Sequence, residues 1–221
     1  MKLRTFIKKF LSFLVPVHIA HVHTEKNGVV ELCYYNGKKL LNTPNTNYSY
    51  GLLQAILRFG LKKIHIENIR TVLLLGLGGG SVIETLRKEF HHQHKIVAVD
   101  FDAHIIAIAQ EEYNIKNDEN LEIIHDDAQR FVRTNTETYS TVIVDLSIDN
   151  QVPDFVYSID FWKHIYERVE SHGSVLCNAA ITKSYATKMQ DVLEYLNHKF
   201  DVDVYEYPES TNTIFVARKQ V

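Results

Sequence analysis

Cysteine is scarce in this chain, with two in 221 residues, Cys33 and Cys177, far apart and inside apolar runs. That excludes a disulfide framework and a cysteine metal site. Both read as small buried hydrophobes, which fits a reducing, cytoplasmic setting. Charge of one sign is also missing: 24 basic against 27 acidic side chains leave a net charge of -3, so no basic field invites a nucleic-acid partner. No apolar run is long enough to span a bilayer, and neither an internal repeat nor a low-complexity segment is present. What remains is the composition of an ordinary soluble domain, 45% hydrophobic and 23% charged, long enough for one buried core with a small appendage.

The first twenty residues need separate reading. Lys2, Arg4, Lys8 and Lys9 precede an apolar run from Phe10 to Ala20, a layout that a secretory signal shares. Pro16 and His18 interrupt that run, and no small-x-small cleavage site follows. Leu3, Phe6, Ile7, Phe10, Leu11 and Leu14 fall on one helical face, with Lys8, Lys9 and Ser12 opposite. The segment is therefore expected to form an amphipathic helix that docks on the domain or on a partner subunit, and a homodimer is the partner state it suggests.

The period then changes. Val17 to Thr24, Val29 to Tyr35 and Lys38 to Leu41 are β-rich and are separated by Asn27-Gly28 and Asn36-Gly37, pairs that tolerate positive φ in hairpin turns. This predicts a three-stranded meander too small to be stable alone. A helix is expected from Tyr48 to Phe59, closed by Gly60. From Thr71 onward strands and helices alternate, beginning with the continuous apolar run Thr71 to Leu75, as in a strand covered on both faces. Two closing strands, Val202 to Tyr207 and Thr213 to Ala217, are joined by so short a loop that they must be antiparallel. The expected architecture is α/β: a doubly wound, mostly parallel seven-stranded sheet of Rossmann-like class I methyltransferase type, with residues 1–47 forming the helix and meander and residues 48–221 the core.

Chemistry-bearing residues gather at predicted strand ends. Gly76-Leu77-Gly78-Gly79-Gly80-Ser81 follows one strand and opens a helix, so a flat ligand can lie against backbone that lacks Cβ atoms. Asp100 ends the next strand, where a carboxylate can accept both hydroxyls of a ribose. A dinucleotide fingerprint would need a third glycine at Ser81, so glycines at 76, 78 and 80 fit a sulfonium nucleoside of the S-adenosylmethionine type better. Asp127, in Asp126-Asp127-Ala128, can accept from an adenine amino group or cap a helix. Asp145 ends the fourth strand and can orient or deprotonate a nucleophile; Asp149 and Asp160 lie close by. Among twelve histidines, His91, His92 and His94 crowd a helix end, while His21 and His23 share a strand face without an acidic companion at ligand spacing, so no metal is expected.

Together these residues resemble the spermidine synthase family in its broad sense, over about Val17 to Ala217. The family's Gly-Gly-Gly-Asp-Gly-Gly corresponds to Gly76 to Ser81, its ribose-binding acid to Asp100 and its Gly-Asp-Ala to Asp126-Asp127-Ala128. Its catalytic Asp corresponds to Asp145, and the Tyr of its Tyr-Gln-Glu acceptor motif to Tyr50. The chain departs from the pattern where the family holds amines: the loop Asp is Gly79, the Gln and Glu are Gly51 and Leu52, and a second catalytic-stretch Asp is Ile148. Unpaired burial of an ammonium group costs several kcal/mol, so the resemblance implies an intact nucleoside side and an altered acceptor side. The expected function is methyl transfer from S-adenosylmethionine to a small acceptor. Gly76, Gly78, Gly79, Gly80, Asp100 and Asp127 would hold the cofactor, Asp145 would be catalytic, and Tyr50 and Asp149 would face the acceptor. The alternatives are aminopropyl transfer from decarboxylated S-adenosylmethionine, with Asp149 replacing part of the lost charge, and a non-catalytic binding protein.

Overall fold

A computed structural model describes residues 2–43, 47–64, 68–148, 151–179, 186–207 and 213–220. Helix α1 (Lys2–Leu11) leads into a small antiparallel sheet of β1 (Val17–His23), β2 (Val29–Tyr35), β3 (Lys38–Asn42) and β4 (Asn47–Ser49). The meander thus gains a fourth strand, which pairs with β3 and crosses the boundary expected after residue 47. The second hairpin turns as expected, with Asn36 and Gly37 both at positive φ. The first is longer, because Thr24 closes the loop by donating to the Gly28 carbonyl.

Helix α2 (Gly51–Leu61) opens the core, and Gly60 lies inside it instead of ending it. The physical reason is packing: a Cβ there would sit 2.5 Å from Leu176 and 3.0 Å from Ile214, so the glycine lets the helix press against the sheet. The remaining elements are β5 (Val72–Leu75), α3 (Ser81–Lys88), β6 (Ile96–Asp100), α4 (Ala103–Glu112), β7 (Leu121–His125), α5 (Ala128–Thr134), β8 (Tyr139–Val144), α6 (Ile159–Arg168), β9 (Val169–Asn178), α7 (Ala186–Asn197), β10 (Phe200–Glu206) and β11 (Thr213–Lys219). Their sheet has the order β10-β11-β9-β8-β5-β6-β7. Strands β5 to β9 run parallel, and β11 is antiparallel to both of its neighbours. The expected α/β architecture is the observed one.

Alternation along the central strands builds two cores. Leu73 and Leu75 of β5 join Val97, Val99, Phe131, Trp162 and Phe200 on one face. Val72 and Leu74 join Ile96, Ala98, Ile56, Leu57 and Leu86 on the other. Helix α4 is shared: Ala109 faces the second core, while Ile105 and Ile108 pack against Val30, Leu32 and Leu41 of the small sheet. That third cluster is what the meander needed in order to be stable, since fully burying each such side chain is worth about 1.5–3 kcal/mol. A polar tie reinforces it, with Asn27 Nδ2 donating to the fully buried Asp102 at 3.2 Å.

The end of α1 is anchored through Ser12. Its carbonyl accepts from Asn36 N at 2.9 Å, and its hydroxyl accepts from Gly37 N at 3.0 Å. The apolar stripe expected to dock on the domain or on a partner subunit points away from the domain, with Phe6, Phe10 and Leu14 each more than 60% exposed. Among the described residues, no helix is long and apolar enough to cross a membrane.

Candidate functional site

Strand order reverses between β5 and β8, and at such a switch point the two chains leave the sheet in opposite directions and open a crevice. The chain approaches itself very closely there. Asp145 N donates to the Leu75 carbonyl at 2.9 Å, and Gly76, at φ +96°, has the Asp145 carbonyl 2.1 Å from where a Cβ would stand. Only glycine fits that place. The crevice is lined by Gly76, Gly78, Val99, Asp100, Phe101, Ala128, Asp145, Leu146 and Ser147.

Asp100 is nearly fully buried at the end of β6. Its Oδ2 accepts from the backbone N–H groups of Leu77 at 3.0 Å and Gly78 at 3.2 Å, and its Oδ1 accepts from Asp102 N at 3.0 Å. The carboxylate therefore splints the glycine loop to β6. Burial raises its pKa to about 6 against the opposing pull of those three N–H donors. Two carboxylate oxygens offer about four acceptor directions, so one remains for a ligand hydroxyl.

Asp145 lies across the crevice, half-buried, with its own pKa raised by burial to about 6. Its single described side-chain partner is Asn178 at the end of β9, whose Nδ2 donates to Oδ1 at 3.0 Å. Asn178 was missed in the sequence, although it closes the apolar run Val175 to Cys177 just as Asp100 closes its own strand. The same strand-end rule would have found it.

Not every expected site residue joins this crevice. Asp127 caps α5 through Arg130 N at 2.9 Å and is exposed next to Ala128, while Arg130 ties up the neighbouring Asp126. Gly80 carries positive φ at the start of α3, where a Cβ would meet Ile115 at 2.5 Å. Tyr50, expected at the acceptor, sits on the glycine loop. It is 6% exposed, its ring stacks on Tyr113 with centroids 4.5 Å apart, and its hydroxyl donates to the Gly79 carbonyl at 3.2 Å. Burial pushes its phenol pKa up, with Glu84 adding to the shift. A Cβ on Gly79 would stand 3.0 Å from the Ser49 hydroxyl and 3.1 Å from the Tyr50 ring. The loop carboxylate that the resemblance supplies at position 79 thus has its space filled by neutral groups. Asp149 lies outside the described residues.

The spermine/spermidine synthase domain matches residues 54–218. A polyamine aminopropyltransferase of Thermococcus onnurineus is 24% identical over 148 residues, 64% of this chain and 51% of that protein. The chain spans about half the length of the curated relatives it matches. Among solved structures, a probable spermidine synthase from Corynebacterium glutamicum superposes with a TM-score of 0.66 at 15% identity, covering 90% of this chain and 80% of that one. Human methyltransferase-like protein 13 in complex with SAH superposes at 0.64 with 18% identity, covering 77% and 83%. These likenesses share the class I methyltransferase-like fold. The expectation of methyl transfer is overturned, because the matching domain and the curated relatives are those of aminopropyl transfer, the alternative reading. With that domain matched over most of its length, the chain belongs to the spermine/spermidine synthase family.

Proposed function

We propose that the chain transfers an aminopropyl group from decarboxylated S-adenosylmethionine to a small amine acceptor. The observation that carries this reading is the charge of the crevice: among the described residues, its lining holds two carboxylates, Asp100 and Asp145, and no lysine or arginine. A donor that kept its own carboxylate would bring a third negative group into a half-buried place without a cation, which is repulsive. A decarboxylated donor brings an ammonium instead. The residues also fit the nucleoside, since the glycine backbone is bare of Cβ atoms and Asp100 offers its remaining acceptor direction.

When bound, the donor would supply a sulfonium whose neighbouring carbon is electrophilic, so that a C–N bond to the amine forms as the C–S bond breaks and the nucleoside leaves as a neutral thioether. Asp100 holds the ribose, and the Gly76 to Gly80 backbone supports the flat face of the nucleoside. Asp127 lies on the adenine side while also capping α5. Asp145 orients the acceptor amine and takes its proton, a task suited to a base with a pKa near 6. Asn178 is the positioning residue that fixes one Asp145 oxygen, leaving the other for the amine. With Gly79, Leu52 and Ile148 in place of the family's carboxylates, the described crevice pairs one ammonium of an acceptor well and offers no second carboxylate beyond the ribose-binding one.

Calorimetric titration with both donors tests this. Decarboxylated S-adenosylmethionine is expected to bind at least about tenfold tighter than S-adenosylmethionine, roughly the 1.4 kcal/mol of one unpaired charge near the surface. Equal affinity, or a preference for the carboxylated form, sinks the reading.

The outward stripe of α1 is proposed as the contact between two copies of the chain, since contiguous exposed apolar side chains mark association sites. Light scattering should then give twice the chain mass, falling to a single mass in Phe10→Ser/Leu14→Ser; a monomeric parent chain removes the proposal.

A further inference from the structure

We propose that His18, His21 and Glu31 form a binding site for a zinc-type divalent metal ion on the small sheet, apart from the crevice. The three donor atoms lie within 4.8 Å of one another. His18 Nδ1 is 3.0 Å from Glu31 Oε1, and the two imidazole centroids are 4.3 Å apart.

Strict alternation along β1 would place His21 with His23 and turn His18 to the opposite face. The ladder between β1 and β2 instead slips: His18 pairs with Cys33 but Ala20 with Leu32, so Ile19 is the extra residue of a bulge. One extra residue reverses the alternation, and His18 and His21, three positions apart, arrive on one side. Glu31 is the direct cross-strand partner of His21. The acid that no spacing along β1 supplies therefore comes from β2.

The donor set names the class of ion. Two imidazole nitrogens and one carboxylate oxygen suit zinc, with water completing a tetrahedron, whereas calcium and magnesium favour all-oxygen sites. Bonds of about 2.0–2.2 Å in a tetrahedron need donor atoms about 3.3–3.6 Å apart, so no pair has to close by more than about 1.5 Å, and His18 and Glu31, at 3.0 Å, open slightly. All three side chains reach solvent and can make that move by small rotations, and the same exposure leaves room for the water. Lys8 donates Nζ to the His18 backbone carbonyl at 3.2 Å, a bond that leaves the ring nitrogens untouched. The ion would clamp the bulged strand to β2, a stabilising role that needs no part in the transfer reaction.

Titrating the untagged full chain with zinc chloride, with its melting temperature followed in parallel, decides the matter. One saturable site is expected per chain, with a melting temperature that rises with zinc concentration, as binding to the folded state alone requires. His21→Ala and Glu31→Gln should each weaken binding by at least about tenfold, roughly one lost ligand contact, and remove the thermal shift. His91→Ala/His94→Ala, which alters the other exposed histidine cluster, should change neither. The proposal is overturned if no saturable binding appears, if His21→Ala binds like the parent chain, or if the His91/His94 control loses as much as the site variants. Any of these three results would leave His18 and Glu31 as a hydrogen-bonded surface pair.

Discussion

Asp145→Asn is expected to lower aminopropyl transfer by about 10²–10⁴-fold, the usual contribution of a positioned general base, while donor affinity changes little. The amide keeps the geometry, because the Asn178 side chain can still donate to its oxygen at the position now 3.0 Å away. It cannot take a proton from an acceptor amine. The proposed nucleoside side, Asp100 and the glycine backbone, is untouched. Steady-state rates beside donor titration check this, and a variant with unchanged turnover would remove Asp145 from the chemistry.

The same substitution should stabilise the unliganded protein. Burial raises the Asp145 pKa from 3.8 to about 6, so the folded state holds its proton more tightly than the unfolded chain does. Between pH 3.8 and 6 the folded state therefore binds more protons, and stability falls as pH rises through that window. Above about pH 6 the penalty is complete, on the order of 2–3 kcal/mol. Asn carries no charge to bury. The variant should melt higher than the parent at pH 7.5, and the gap should close as pH is lowered toward 4. Turnover of the parent should rise with pH through about 6 as Asp145 ionises. On the proposed function, the crevice holds a charge whose folding cost is offset by its use as a base.

Much of this architecture was legible before the fold was in hand. The core strands announced themselves because burial on both faces demands unbroken apolar runs such as Val72 to Leu75, and their ends placed Asp100 and Asp145 at the carboxyl edge. What stayed hidden depended on partners remote in sequence. Gly60 reads as a helix stop until Leu176 and Ile214 are seen against it. Tyr50 reads as a pocket residue until its ring is found stacked on Tyr113, 63 positions later in number but 4.5 Å away. The bulge at Ile19 leaves no mark in composition, because alternation holds on either side of it. The group transferred was misjudged for a related reason. Counting lost carboxylates weighed what the acceptor side lacks, whereas the absence of a cation among the described residues lining the crevice speaks about the donor.

Gly76→Ala tests whether the switch-point crevice is the site at all, and its effect should be the largest of any single methyl group added to the core. Two penalties coincide there. The backbone stands at φ +96°, which an alanine adopts only under strain of about 1–3 kcal/mol. The new methyl would also meet the Asp145 carbonyl oxygen at 2.1 Å, a backbone atom that no side-chain rotation can move aside. Relief requires β5 and β8 to part at their ends, which breaks the bond from Asp145 N to the Leu75 carbonyl and carries the Asp145 carboxylate away from Asp100. A loss of about 3 kcal/mol or more is expected, with donor binding abolished in whatever fraction stays folded. Gly28→Ala is the matched control, because it shares positive φ at +65° but has nothing within 4 Å of the added methyl. Strain alone should cost it about 1 kcal/mol and leave binding intact. Denaturant melts and donor titrations of both variants separate strain from contact. If Gly76→Ala behaves like Gly28→Ala, the close approach of the two strand ends does not shape the crevice.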